Sequence, residues 1–392
     1  MKGVELMRNY RFFLIVAACF SLLMLINMTS YTAAQPSLLR PATNTPIPTL
    51  GGPTNTPVPA SPISIYGAWH CSNDACIWGA VRDMTDFDHA NHWLIDRGDG
   101  SGLPSVNLVI LSFVEPNKLL TRANDATTAN GVPIGMNQAV VNYFTSHNVR
   151  VMISIGGITY VKPWDTALAA NATQLGLNAA ALAQSLGVGI EIDYENARNP
   201  NIPGLQTFVD AYRSQLPYDA TGANPAARLT IDLAEGDRWL TQIAAKASTD
   251  WLKTTNPVLD YANAMVPSRQ PSSASAAESN WQEHIDGNSG LGIPPVAPAK
   301  IAVSLFLVGN SVLPECNNFS TSLQNSTSSW LRTVVPNGAG TTPGLLGYMF
   351  WAAEKEGTRT VTTAPPNTCE GGMGVAAKTF NIPLPIPPLR QS

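Results

Sequence analysis

From residue 63 onward, short runs rich in apolar and β-branched residues recur along the chain. They are ISIYGA (63–68), VNLVILSF (106–113), VRVMISI (149–155), VGIEIDYE (188–195), RLTIDLA (228–234), VLDYANAM (258–265), KIAVSLFL (300–307) and LLGYMFW (345–351). Their starts lie roughly 30–45 residues apart, too far for hairpins and suited to strand–helix–strand units. Helical periodicity fills several of the gaps. Residues 136–147 place Ala139, Val140 and Phe144 on one face, 178–187 ends on Gly187 as a helix C-terminus does, and 202–216 is amphipathic. Strands alternating with helices in this way predict an α/β chain, with residues 63–392 forming a single (β/α)8 TIM barrel. An open doubly wound sheet is the alternative. It wants a glycine-rich phosphate loop after the first strand, and ISIYGAWHCSND supplies none. The stretches 267–299 and 308–344, rich in Ser, Asn, Gly and Pro, read as long loops, which barrels use to build sites.

The pattern before residue 63 is of another kind. Lys2, Arg8 and Arg11 precede an apolar run from Phe12 to Met28, followed by the small-residue stretch Tyr31-Thr32-Ala33-Ala34-Gln35. This order is that of a secretory signal peptide over residues 1–34, with an uncleaved membrane anchor as the alternative. Residues 35–62 contain TNTPIP (43–48) and TNTPVP (54–59). Such a Pro/Thr-rich segment buries little apolar surface and samples extended conformations, so it reads as a disordered spacer. The expected location is extracellular, with the N-terminus a possible tether to a membrane or cell wall.

Composition narrows the partner. There are 23 Lys and Arg against 27 Asp and Glu, a net charge of -4, and only 13% of residues are charged. That balance excludes a nucleic-acid binder held by phosphate contacts. Leaving out Cys19, four cysteines remain (Cys71, Cys76, Cys316 and Cys369), and proximity favours Cys71–Cys76 and Cys316–Cys369 among the three possible pairings. His70 beside Cys71 and Cys76 fits no common zinc spacing, and His89 and His92 have no third ligand in view. Neither a metal nor a cofactor is expected, and the chain is expected to act as a monomer.

The chemistry concentrates in Gly187-Val188-Gly189-Ile190-Glu191-Ile192-Asp193-Tyr194-Glu195-Asn196. On a strand, Ile190, Ile192 and Tyr194 face one way while Glu191, Asp193 and Glu195 face the other. On a half-exposed antiparallel strand, the acidic side would be an ordinary wet face. In a parallel barrel the apolar side packs on helices, and the carboxylates point inward, about 7 Å apart along the strand. So many negative charges in a restricted space cannot all ionise cheaply, so at least one carboxyl holds a proton near neutral pH. A protonated carboxyl at the open C-terminal end, here Glu195, is suited to general-acid cleavage of a glycosidic bond.

These residues carry a family resemblance. VGIEIDYE resembles the DGxDxDxE signature of family 18 glycoside hydrolases, the chitinases and their relatives, and Ser154-Ile155-Gly156-Gly157 on the preceding strand is similar to that family's SxGG motif. Gly347-Tyr348-Met349-Phe350-Trp351 matches the last strand, where the family places a tryptophan under the sugar, and Asn263-Ala264-Met265 resembles its NxM stretch. The resemblance covers residues 149–195 and touches the last strand. It implies substrate-assisted retaining hydrolysis of β-1,4-linked N-acetylglucosamine polymers. Glu195 would protonate the leaving oxygen, the substrate's 2-acetamido carbonyl would attack the anomeric carbon, and Asp193 would hold the acetamido N–H. Glu195 would then activate water to open the oxazolinium ion.

The chain departs from the family pattern in places. Val188 stands for its first Asp and Glu191 for its second; the extra methylene of Glu191 would retune a proton relay between it and Asp193. Pro267 stands where a tyrosine holds the acetamido carbonyl, so Tyr66 or Tyr160 would have to take that part. Trp69, Trp164, Trp239 and Trp351 follow or end strands and are candidates to stack on sugar rings or to pack in the core; Trp351, Trp69, Met265 and Tyr66 are the expected substrate contacts. Glu235 and Asp237 could add polar contacts, and Asn171, Asn318 and Asn325 head N-x-[ST] triplets. Two other functions compete with a chitinase: a non-catalytic, lectin-like binder of the same fold, and an endo-β-N-acetylglucosaminidase acting on N-glycans.

Overall fold

The computed structural model describes residues 65–72, 83–96, 100, 102–104, 106–265, 274–306, 346–351 and 353. The expected signal peptide and spacer, along with Cys19, Cys76, Pro267, Cys316, Asn318, Asn325 and Cys369, lie outside the described residues. Cys71 is disulfide-bonded, and its partner lies outside them too.

In chain order the strands are β1 (Ile65–Cys71), β2 (Leu108–Val114), β3 (Thr128–Ala129), β4 (Val132–Pro133), β5 (Arg150–Gly156), β6 (Gly189–Asp193), β7 (Leu229–Leu233), β8 (Ala262–Ala264), β9 (Ile301–Phe306) and β10 (Gly347–Trp351). The helices are α1 (Met84–Ile95), α2 (Pro116–Thr121), α3 (Gln138–Thr145), α4 (Val161–Leu186), α5 (Ile202–Gln215), α6 (Thr241–Lys246) and α7 (Ala274–Asp286). β3 and β4 form a small antiparallel hairpin. The remaining strands close into a barrel in the order β1-β10-β9-β8-β7-β6-β5-β2, with every neighbouring pair parallel. Each of the apolar runs picked out in the sequence therefore supplies one barrel strand, and the (β/α)8 TIM barrel expected from them is the fold.

Alternation along each strand divides two apolar layers. The outward residues, among them Val188, Ile190 and Ile192 on β6 or leading into it, pack with Leu175, Ala179 and Ala183 of α4 and Leu205, Phe208 and Val209 of α5. Each such fully buried aliphatic or aromatic side chain contributes roughly 1.5–3 kcal/mol. Inside the barrel a smaller cluster joins Ile65, Trp69, Leu108, Ile110, Met152, Tyr261, Ala302 and Met349. On four strands the next inward residue is polar: Ser112 after Ile110, Ser154 after Met152, Asn263 after Tyr261, and Ser304 after Ala302. The interior is thus plugged by apolar side chains below and lined by polar ones toward the C-terminal ends of the strands, where barrel sites form.

The helices are set by local caps. Asn137 accepts from the backbone N–H groups of Ala139 and Val140 to start α3, and Asn201 accepts from that of Gly204 to start α5. α4 is longer than the predicted 178–187 segment, because a preceding helical stretch from Val161 joins it across a break at Asn171 (φ -164, ψ 81). The Asn171 side chain accepts from the Gln174 N–H at 3.0 Å and restarts the helix. Gly187 closes it in the left-handed conformation, at φ 67.

The two glycines that end β5 position the strand beside it. Gly156 (φ 124) runs so close to β6 that a Cβ there would collide with the Asp193 carbonyl oxygen and the Trp164 indole nitrogen. A Cβ on Gly157 (φ 97) would meet the Phe113 ring at 3.2 Å. The Gly157 N–H donates to the Asp193 carbonyl at 3.0 Å, which anchors the end of β6. Replacing Gly156 with alanine should therefore destabilise the protein by roughly 2–4 kcal/mol, through backbone strain and a collision that β6 cannot relieve. Gly187 also has positive φ but open space around it, and alanine there should cost only about 1 kcal/mol. Thermal melts of the two variants check this, and equal losses would contradict it.

Candidate active site

β6 brings its acidic face into the barrel. Glu191 and Asp193 are 0% and 3% exposed, and Glu195, two residues past Asp193, is partly exposed beyond the strand's end. Val188, with the same parity as Ile190 and Ile192, faces the helices, so its departure from the family pattern falls outside the interior.

Both oxygens of Glu191 are taken. Trp69 Nε1 donates to Oε1 at 2.8 Å from β1, and Asn263 Nδ2 donates to Oε2 at 2.5 Å from β8. A further carboxyl, Asp232 of β7, bonds to Glu191 and is 1% exposed. Burial raises all four carboxyls, but neighbours decide where the protons rest. Desolvation lifts Glu191, while hydrogen bonds from Trp69, Asp232, Ser154 and Asn263 oppose the lift. Asp232 is raised well above the usual carboxylate range, by desolvation first and then by the charges of Glu191 and Asp193. The proton of this pair therefore rests on Asp232, which donates it to the Glu191 carboxylate.

Asp193 is also raised well above the usual carboxylate range, by desolvation first and then by the charges of Glu195 and Glu191. It keeps its proton and donates toward Glu195. Desolvation pushes Glu195 up to about 7, against the hydrogen bond from Asp193, which pulls it down. Asp193 Oδ1 is buried without a hydrogen-bond partner among the described residues, in contrast to the fully engaged Glu191. Asp193 thus retains acceptor capacity inside a buried site.

The structure sorts the aromatic candidates. Trp351 ends β10, partly exposed, in the interior cluster, with its ring 5.3 Å from that of Phe113 and tilted 32°. Trp69 is in the barrel but only 4% exposed, and its indole N–H is committed to Glu191, so it acts as a hydrogen-bond donor to the cluster. Tyr66 is not brought to the site. It alternates with the inward Ile65 and Trp69 and lies in the layer between strands and helices, because β1 turns successive side chains to opposite faces. Met265, one residue past β8, packs against the same helix-side layer and not the interior cluster. Trp164 is fully buried behind β6, where Nε1 donates to the Asp193 carbonyl at 3.0 Å. Trp239 is 41% exposed on the segment after β7, and Tyr160 is partly exposed after β5.

Other polar candidates have structural partners. Asp237 faces His284 Nδ1 of α7 at 2.8 Å, with both side chains buried, and His284 Nε2 donates to the Ala234 carbonyl at 2.8 Å. His70 points outward, 2.6 Å from Ser72 Oγ and 3.0 Å from Asn91 Oδ1. Among the described residues, no group of three or more His, Cys, Asp or Glu side chains is arranged to hold a metal ion. The residues missed from the sequence were Asp232, and Asn263 as the partner of Glu191. A signal for Asp232 existed: in RLTIDLA it alternates with Ile231 and Leu233, as Glu191 does with Ile190 and Ile192.

No protein-family model matches the chain, and no curated protein sequence does. Solved structures match it at low identity. A GH18 chitinase from Pseudoalteromonas aurantia is 15% identical, with a TM-score of 0.48 over 75% of this chain and 96% of that one. A class V chitinase from Nicotiana tobaccum is 14% identical, at 0.47 over 81% and 99%. A chitinase from Bacteroides thetaiotaomicron is 14% identical, at 0.48 over 81% and 96%.

A carboxyl that binds its proton more tightly in the folded state favours folding below its unfolded pKa, and that contribution is lost as pH rises through its folded pKa. For Glu195 the window runs from about 4.5 to about 7. Glu195→Gln should therefore match the wild type in thermal stability at pH 4 and exceed it by roughly 3–8 °C at pH 8. Melting curves at the two pH values test this, and a gap independent of pH would contradict it.

Proposed function

We propose that this protein is a retaining glycoside hydrolase that cleaves β-1,4-linked N-acetylglucosamine polymers with help from the substrate's own acetamido group. The observation that carries the reading is the Asp193–Glu195 pair. A buried, protonated carboxyl with unused acceptor capacity lies next to a more exposed carboxyl that keeps its proton up to about pH 7.

In this reading, Glu195 gives its proton to the glycosidic oxygen as the bond from that oxygen to the anomeric carbon breaks. The acetamido carbonyl oxygen bonds to the anomeric carbon, and the ring nitrogen of the resulting oxazolinium ion carries the N–H that Asp193 accepts. As Glu195 becomes a carboxylate, the hydrogen bond it receives from Asp193 strengthens, which stabilises the charge left behind. Glu195 then takes a proton from water, whose oxygen attacks the anomeric carbon and opens the ring with retention. Glu191, held on both oxygens, supplies a fixed negative charge beneath Asp193 and does not leave its donors. Trp351, at the open end of the interior cluster, offers a flat apolar surface for the sugar at the cleavage point. The proposed setting is extracellular, with residues 35–62 as a spacer and a neutral polysaccharide as the partner.

Wild type and Glu195→Gln compared on labelled chitooligosaccharides test the reading, with products identified by size. The wild type should cleave, and the variant should lose about 100- to 10,000-fold in kcat. The wild-type kcat/KM should fall as pH rises past about 7, where the acid loses its proton. Binding without turnover by the wild type would favour the lectin-like alternative, and release from a high-mannose glycoprotein in place of chitooligosaccharides would favour the N-glycan one.

A further inference from the structure

β6 ends at Asp193, and the segment that follows, residues 194–201, has no regular secondary structure to hold Glu195 in place. Placement to within about 1 Å matters, because a misplacement of that size can cost about 100-fold in rate. The chain neighbours of Glu195 are held instead by two adjacent residues near the start of α4.

Trp164 holds the strand end, through Nε1 to the Asp193 carbonyl at 3.0 Å and through its ring, 5.5 Å from that of Tyr194. Asp165 holds both residues that flank Glu195. The Tyr194 hydroxyl donates to Asp165 Oδ1, and Asn196 Nδ2 lies 3.0 Å from each Asp165 oxygen. The same network organises the rest of the segment. The Asn201 N–H donates to the Tyr194 hydroxyl at 2.8 Å, and Asn196 Oδ1 accepts from the N–H groups of Arg198 and Asn199 at 3.1 and 3.0 Å. Tyr194 is 1% exposed, so its hydroxyl has to find its partner inside the protein. One carboxylate thus ties down residue 194 and residue 196, and the side chain between them is left to point into the site.

We infer that Asp165 is the positioning residue for Glu195: its carboxylate clamps Tyr194 and Asn196 to α4, so the acid between them is held at the mouth of the barrel next to Asp193. This rests on the assignment of Glu195 as the acid. Asp165 touches neither substrate nor reacting atoms and acts through its two neighbours.

The clamp makes a distinctive kinetic signature. Asp165→Ala should lower kcat about 10- to 100-fold on chitooligosaccharides while KM changes less than about threefold. The released Glu195 should gain solvent, so the alkaline limb of kcat/KM should move down from about 7 toward the ordinary glutamate value. Asp165→Asn keeps an oxygen for the Tyr194 hydroxyl and should recover most of kcat. Tyr194→Phe should lose kcat through the same route, so the Tyr194→Phe/Asp165→Ala double variant should be little worse than Asp165→Ala alone. A kcat loss that only follows the folded fraction, with the alkaline limb unmoved, would overturn the inference, as would additive losses in the double variant. Glu195→Gln runs alongside as the control. If it stays active, the assignment of the acid fails and Asp165 has nothing to position. If it is inactive while Asp165→Ala keeps kcat within twofold, the positioning role alone is refuted.

Discussion

The interior of a closed parallel barrel takes every second side chain of its strands, and on β6 those side chains are carboxyls. Glu191 and Asp193 enter a space already plugged below by Met152, Tyr261 and Met349, and β7 adds Asp232 at the same level. So many carboxyls cannot all be charged where water is scarce, so the cluster has to retain protons. Donors from two distant strands decide which ones. Trp69 and Asn263 stabilise the charge of Glu191, and the protons are left on Asp232 and Asp193. The result is a gradient along one strand, from a fixed anion at the bottom, through a protonated carboxyl, to an acid that titrates near neutrality at the exit.

The same strand is held from behind by close approach. Gly156 lets β5 come up against the Asp193 carbonyl, which also receives the Gly157 N–H and the Trp164 indole. That carbonyl sits one peptide unit from the segment carrying Glu195. α4 therefore has two roles, as part of the barrel's outer wall and as the support for the residues around the acid. Trp164 fills the first through its ring and both through its nitrogen, while Asp165 serves the second.

Strand runs were legible because a period of two is a local property: every barrel strand could be picked out from its own residues. The inward face of β6 was legible for the same reason, since its carboxyls alternate with isoleucines. β1 offered no such guide. All seven of its residues are buried, so nothing in IYGAWHC distinguishes the face that meets the helices from the face that meets the cluster. Tyr66 and Trp69 look equivalent there, and only one of them reaches Glu191. Asp232 was a milder case. Its parity could be read from RLTIDLA, but a single acidic residue in an apolar strand carries no local sign that it will meet Glu191.

Taken alone, the sequence determined the eight-strand barrel, the inward row of Glu191, Asp193 and Glu195, and the glycine pair that precedes it, because each is written in residues close together in the chain. The tertiary structure decided the proton positions, the donors to Glu191, the outward turn of Tyr66 and the grip of Asp165 on the residues beside Glu195. The physical reason is that a carboxyl's charge depends on desolvation and on neighbours. The neighbours of Glu191 come from positions 122 and 72 residues away, which meet only when the barrel closes.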